Sequence, residues 1–238
     1  MTGKDFTERS RPFLEYLDHW YSGLAPMELS GLIAADPDKV AVFCVDMING
    51  FTTEGTLASP RVASHTVNIA DLFRSAYEQG VRQFVLPQDS HSDDAEEFAT
   101  YPPHARTGTH EAETVPEIAS LPFADIYTVI PKNSLSQAIG TNLDRWLNAH
   151  PDVRTAIVVG DCSDLCLYQL AMYLRLRANQ FDERDRRIIV PANGVDTYGT
   201  SLHRAHQFHI DPHPGDFYHY VFLNHLHLNG VEVVASMT

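Results

Sequence analysis

Cysteine is scarce in this chain, with only Cys44, Cys162 and Cys166 among 238 residues. An odd number scattered in this way does not build a disulfide framework, so any chemistry of the cysteines is expected to be thiol chemistry in a reducing compartment. Basic residues are few as well: 17 Lys and Arg stand against 31 Asp and Glu, a formal net charge of −14. They form no stripe, and a chain of this sign repels nucleic acid and anionic lipid, so neither is expected as a partner. No apolar run approaches the ~20 residues that span a bilayer. The opening segment MTGKDFTERSRP is polar and lacks the hydrophobic region of a signal peptide, which makes the cytoplasm the expected compartment. Internal repeats and low-complexity tracts are missing too. What is present is a hydrophobic fraction of 44%, enough for a soluble fold with a sizeable core.

Two regions differ in pattern. In residues 1–38, Phe13, Leu14, Leu17, Trp20 and Tyr21 recur at helical spacing before the turn ADPDK, which predicts a helical arm packed on the main domain or on a neighbouring subunit. From 39 to 238, short continuous apolar runs alternate with longer helical segments. The runs are VAVFCV (40–45), QFVL (83–86), IYTVI (126–130), AIVVG (156–160), IIV (188–190) and VEVVA (231–235). Strands buried on both faces have this composition, so the expected fold is a three-layer α/β/α domain around a mostly parallel six-stranded sheet.

Ligands of such sheets collect beyond the carboxyl ends of the strands. The residues found there are Asp46, Asp89 with His91, Lys132, and Cys166 shortly after Gly160. A carboxylate, an oxygen–imidazole pair, an ammonium and a thiol therefore converge on one rim. Cys166 lies in GDCSDLCLYQLAMYLRLRA, where Leu167, Leu170, Ala171, Leu174 and Ala178 mark the buried face of a helix. With Ser163 as the expected N-cap, Cys166 occupies the third helical position, where free N–H groups and the helix dipole favour a thiolate and lower the pKa from about 8.5. The competing reading is a small buried apolar cysteine, which suits Cys44 inside its strand. Asp46 as a base and Lys132 as a stabilising cation favour a nucleophile at 166; taken singly, Asp46 could cap a turn and Lys132 could be a solvated loop residue.

Asp89 and His91 lie two apart in an extended segment, so their side chains share a side, and an oxygen with an imidazole suits a borderline cation such as zinc. His104 is the candidate third ligand, and two histidines with one carboxylate leave coordination positions open. The C-terminal histidines His203, His206, His209, His213, His219, His225 and His227 have scattered spacings and receive no role, reading as solvated or core residues.

In combination these motifs resemble the isochorismatase-like cysteine hydrolases and, among them, the nicotinamidases. The resemblance runs over about residues 40–235, through Asp46 in VDMINGF, Lys132 in VIPKNS, Cys166 in VVGDCSDLC and the stretch YPPHARTGTHEAETVPEI. It implies an Asp46–Lys132–Cys166 triad, one divalent metal ion, with zinc the expected one, on Asp89, His91 and His104, and an oxyanion hole from the N–H groups of Cys162 and Cys166 beside a cis Asp161–Cys162 bond. It also implies Phe51 and Tyr101 beside the substrate ring, hydrolysis of nicotinamide to nicotinic acid and ammonia through a thioester, a place in pyridine nucleotide (NAD) salvage, and a homo-oligomer. Ala105 replaces a cysteine common in relatives, and Ser163 replaces a threonine; neither removes a reacting group. Two other readings stay open: a relative acting on another small amide without a metal, and a catalytically silent metal- or ligand-binding protein on the same scaffold.

Overall fold

A computed structural model describes residues 5–34 and 36–238, so residues 1–4 and 35 of the expected arm lie outside the described residues. Strand β1 (Val40–Val45) is buried along its whole length. Its side chains alternate between two hydrophobic clusters: Ala41, Phe43 and Val45 join one, while Val40, Val42 and Cys44 join the other. A continuous apolar run read at a period of two thus serves two faces at once. The remaining strands are β2 (Gln83–Asp89), β3 (Thr128–Lys132), β4 (Thr155–Gly160), β5 (Arg187–Pro191) and β6 (Glu232–Val234). They assemble in the order β3-β2-β1-β4-β5-β6, and every pairing is parallel.

Helices cover both faces, as the expected three layers require. The first cluster includes residues of the helices Leu143–Ala149, Cys166–Gln180 and Gly215–Leu228. The second includes residues of Thr66–Glu78 and Pro116–Ala119. On the Cys166 helix all five residues expected to be buried, Leu167, Leu170, Ala171, Leu174 and Ala178, are buried, and each such leucine stabilises the layer by roughly 1.5–3 kcal/mol.

Three strands run further than their apolar runs suggest, and for one reason. Proline lacks an N–H and reads as a stop, yet Pro87, Pro131 and Pro191 all lie inside strands near their carboxyl ends. The extension carries β2 to Asp89 and β3 to Lys132, with those two residues in register. Strand order reverses between β1 and β4, so the crevice of the sheet opens beyond Val45 and Gly160, which are paired. Gly160 (φ +108°) is confined to glycine there, because a Cβ would lie 2.0 Å from the Val45 carbonyl oxygen.

The arm begins with the helix Phe6–Ser22, whose N-cap Asp5 accepts the Glu8 N–H at 2.9 Å. Trp20, Tyr21 and Leu24 pack against the first cluster, and Leu29 and Ile33 are buried in the second. Phe13 and Leu14, expected on the packed face, are 70% and 45% exposed. The segment between is tied to the carboxyl end of the chain by Met27 N–H to Ser236 O (2.9 Å) and Thr238 N–H to Met27 O (3.0 Å).

Candidate active site and metal centre

Asp46 follows β1 directly, with φ +53°. This backbone turns the side chain back over the sheet end, where Asp46 Oδ1 accepts the Asp89 N–H at 2.7 Å. Lys132, at the end of β3, is buried among the groups it contacts. Its Nζ lies 2.8 Å from Asp46 Oδ2, 2.5 Å from Asp89 Oδ1 and 3.5 Å from Cys166 Sγ. Ligand-type atoms of Asp46, Asp89 and Cys166 all lie within 4.8 Å of one another. Asp46, Asp89, Lys132 and Cys166, picked out by strand ends, therefore meet in one buried cluster.

The electrostatics follow from burial and from the single cation. Burial and the neighbouring Asp89 charge push Asp46 up to about 6, against the pull of Lys132. Asp89 is also buried, which raises it, but the Lys132 ammonium holds its carboxyl well below the usual range. Burial disfavours the charged Lys132, yet Asp46, Cys166 and Asp89 together raise it well above an ordinary lysine. Burial pushes the Cys166 thiol well up, Lys132 opposes the rise and Asp46 adds to it. The expectation of a thiol lowered by the helix N-terminus is thus overturned: desolvation and a neighbouring carboxylate outweigh the dipole.

The helix start differs as well. Leu165, not Ser163, is the N-cap, and Cys166 is the first helical residue. Residues 161–165 form a separate loop, with Ser163 N–H bonded to Asp196 O (2.9 Å) and Leu165 N–H to Cys162 O (3.0 Å). The Asp161–Cys162 peptide is cis. The N–H groups of Cys162 and Cys166 have no hydrogen-bond partner among the described residues.

Asp89 also belongs to a second buried group, with His91 and His104. One ligand atom from each lies within 4.8 Å of the other two, with His91 Nε2 3.5 Å from Asp89 Oδ1 and His104 Nε2 3.7 Å from Asp89 Oδ2. The outer ring nitrogens fix the tautomers. His91 Nδ1 is 3.1 Å from Asn133 Oδ1, an oxygen that already accepts the Ser92 N–H, and His104 Nδ1 is 2.8 Å from the Pro102 carbonyl. Both Nδ1 atoms must donate, so both Nε2 atoms present lone pairs to the carboxylate. His91 Nε2 is buried without a hydrogen-bond partner. A lone pair left bare inside a protein beside a carboxylate and a second imidazole fits a divalent cation of zinc's type.

Both expected ring-side aromatics stand at this centre: Phe51 has its ring 5.5 Å from that of His104, and Tyr101 lies 6.4 Å away. Phe98, in the acidic stretch, is an addition, 5.4 Å from His91 and 5.6 Å from His104. Gln137 is another: its buried side chain donates to the Cys166 carbonyl at 2.9 Å. Two of the C-terminal histidines given no role face the 161–165 loop. His213 Nε2 is 2.8 Å from Asp164 Oδ2, and His219 Nδ1 is 3.0 Å from Ser163 Oγ. Nothing in their sequence spacing marks these partners, which lie about fifty residues away.

Comparison with known proteins agrees with this architecture. The chain is 27% identical over 223 residues to Nicotinamidase 1 of Arabidopsis thaliana, covering 87% of this chain and 90% of that one. A nicotinamidase/pyrazinamidase structure from Bacillus subtilis superposes with a TM-score of 0.64 at 23% identity, over 82% of this chain and 99% of that one. A pyrazinamidase of Pyrococcus horikoshii in complex with zinc gives 0.62 at 18% identity, over 82% and 98%. The family model of the isochorismatase domain matches residues 40–213, most of the chain, and the protein belongs to the isochorismatase domain family.

Proposed function

We propose that the protein is a metal-dependent cysteine amidohydrolase that converts nicotinamide to nicotinic acid and ammonia through a thioester on Cys166. The observation that carries the reading is Lys132 Nζ, which contacts the base Asp46, the nucleophile Cys166 and the metal-site carboxylate Asp89 at once. Identity to a plant nicotinamidase over most of both chains supports the substrate.

The steps follow from the protonation states. A thiol pushed up by burial is protonated at neutral pH, while Asp46, at about 6, is largely ionised. Asp46 takes the thiol proton as sulfur attacks the amide carbon, and Lys132 balances the charge that forms. The oxyanion accepts hydrogen bonds from the N–H groups of Cys162 and Cys166, each such donor being worth roughly 3 kcal/mol in comparable sites. Asp46 returns its proton to the amide nitrogen, the C–N bond breaks and ammonia leaves. A water molecule then attacks the thioester, giving its proton to Asp46, and collapse expels the sulfur, which regains that proton. Asp89, His91 and His104 would hold one divalent ion, which when bound supplies an open coordination position for the pyridine nitrogen. Phe51 and Tyr101, with Phe98, would flank the ring. The ring-binding site and the thiol thus occupy opposite ends of one flat substrate. Its product would enter pyridine nucleotide salvage.

Ammonia release from a panel of amides, with and without chelator, tests the reading. Nicotinamide is expected to be turned over by native protein, to be lost with metal removal and to be lost in Cys166→Ala. Turnover of a non-heterocyclic amide that is indifferent to chelator would transfer the assignment to a metal-independent amidase, and ligand binding without ammonia release would make the protein catalytically silent.

A further inference from the structure

The loop 161–165 carries one oxyanion donor and leads into the other. Asp161 N–H reaches Val45 O at 3.0 Å and Ser163 N–H reaches Asp196 O at 2.9 Å, while Cys162 O accepts from Leu165 N–H at 3.0 Å and Leu167 N–H at 3.1 Å. Side chains add to these backbone ties. Ser163 is fully buried, and its Oγ lies 3.0 Å from His219 Nδ1 on the helix Gly215–Leu228. The opposite ring nitrogen, His219 Nε2, lies 3.2 Å from the hydroxyl of Tyr21 on the arm helix. Tyr21 is itself held by stacking on Tyr220, with ring centroids 4.2 Å apart. A continuous chain of hydrogen bonds therefore runs from the arm, across a buried imidazole, to the residue next to Cys162. Burial lowers His219 to about 4, so the ring is neutral, with one N–H and one lone pair. Two hydroxyl partners, each able to donate or accept, match that pairing in either direction.

Both Tyr21 and His219 lie outside residues 40–213, the part matched by the family model. We propose that Tyr21 and His219 are positioning residues which, through Ser163, hold the oxyanion loop in its reactive geometry and make the N-terminal arm part of the catalytic unit. The inference rests on the hydrolase reading given above. Hydrogen bonds to an oxyanion strengthen only in the transition state, so a loop that wanders costs turnover and not substrate binding.

The test uses the full-length, metal-loaded chain and three variants: Tyr21→Phe, His219→Ala and His219→Asn, whose amide can still reach Ser163. Tyr21→Phe is expected to lower kcat for ammonia release by roughly threefold and His219→Ala by roughly tenfold, with KM within twofold of native, a fraction of the loss from deleting an oxyanion donor outright. His219→Asn, which keeps the contact to Ser163 and gives up the one to Tyr21, is expected to match Tyr21→Phe. Alkylation of Cys166 by iodoacetamide should proceed at the native rate in all three, since the nucleophile is untouched. Amide hydrogen exchange over residues 160–167 should quicken in Tyr21→Phe and His219→Ala, whatever the substrate. Unchanged kcat together with unchanged exchange in both would overturn the inference, as would equal losses in all three variants accompanied by a matching fall in melting temperature, the mark of a structural role alone. Native protein that releases no ammonia from any amide would refute the hydrolase reading, and the exchange measurement would still decide whether the arm holds the loop.

Discussion

Replacing Lys132 with methionine keeps most of the length of the side chain and removes the cation that Asp46, Asp89 and Cys166 share. The ammonium sits 3.5 Å from Cys166 Sγ, where two unit charges interact by about 5 kcal/mol at an effective dielectric of about 20. Loss of that attraction corresponds to roughly a thousandfold less thiolate, since one pK unit is about 1.36 kcal/mol. Asp46 and Asp89 lose the charge 2.8 and 2.5 Å away. Removing one partner of a buried pair costs about 3–5 kcal/mol, and the carboxyl groups limit the loss to the lower end by taking up protons. A protonated Asp46 can no longer accept from the thiol, so the two effects act on turnover in the same direction. Iodoacetamide alkylation of Cys166, followed by mass spectrometry at pH 8, is expected to slow by at least a hundredfold, roughly, and urea denaturation to show a loss of about 3 kcal/mol. Alkylation within twofold of native, with an unchanged denaturation midpoint, would refute the assignment of Lys132 as the cation of the site.

Two further outcomes are expected. Because burial raises Asp46 to about 6 and the proposed mechanism uses its ionised form, kcat/KM should fall as pH drops through about 6, and a profile flat to well below that value would show that another group accepts the proton. Asn133→Ala frees the Nδ1 of His91, so metal affinity measured by chelator competition should fall by roughly 10- to 100-fold, with unchanged affinity counting against a metal on His91.

The sheet was legible in the sequence because buried parallel strands are continuous apolar runs, and the residues at their carboxyl ends then fall on one rim whatever the detail of the loops. Asp46, Asp89, Lys132 and Cys166 meet for that reason. What escaped depended on neighbours remote in the chain. Prolines 87, 131 and 191 looked like ends of strands and were not, since only their missing N–H is visible in a sequence and not whether the sheet needs it. The direction of the Cys166 shift depended on how deeply the thiol is buried and on Asp46, 120 residues away, against which a local helix dipole counts for little. Gln137, Asn133, His213 and His219 have no motif of their own. Each is defined by the group it meets, and those partners become visible only when the chain is folded.

A covalent intermediate tests the central claim most directly. Metal-loaded protein mixed with nicotinamide and quenched rapidly in acid should yield a peptide bearing Cys166 heavier by one nicotinoyl group, and the Cys166→Ala protein should yield none. A nicotinoyl adduct on any other residue, or full turnover by Cys166→Ala, would contradict the account.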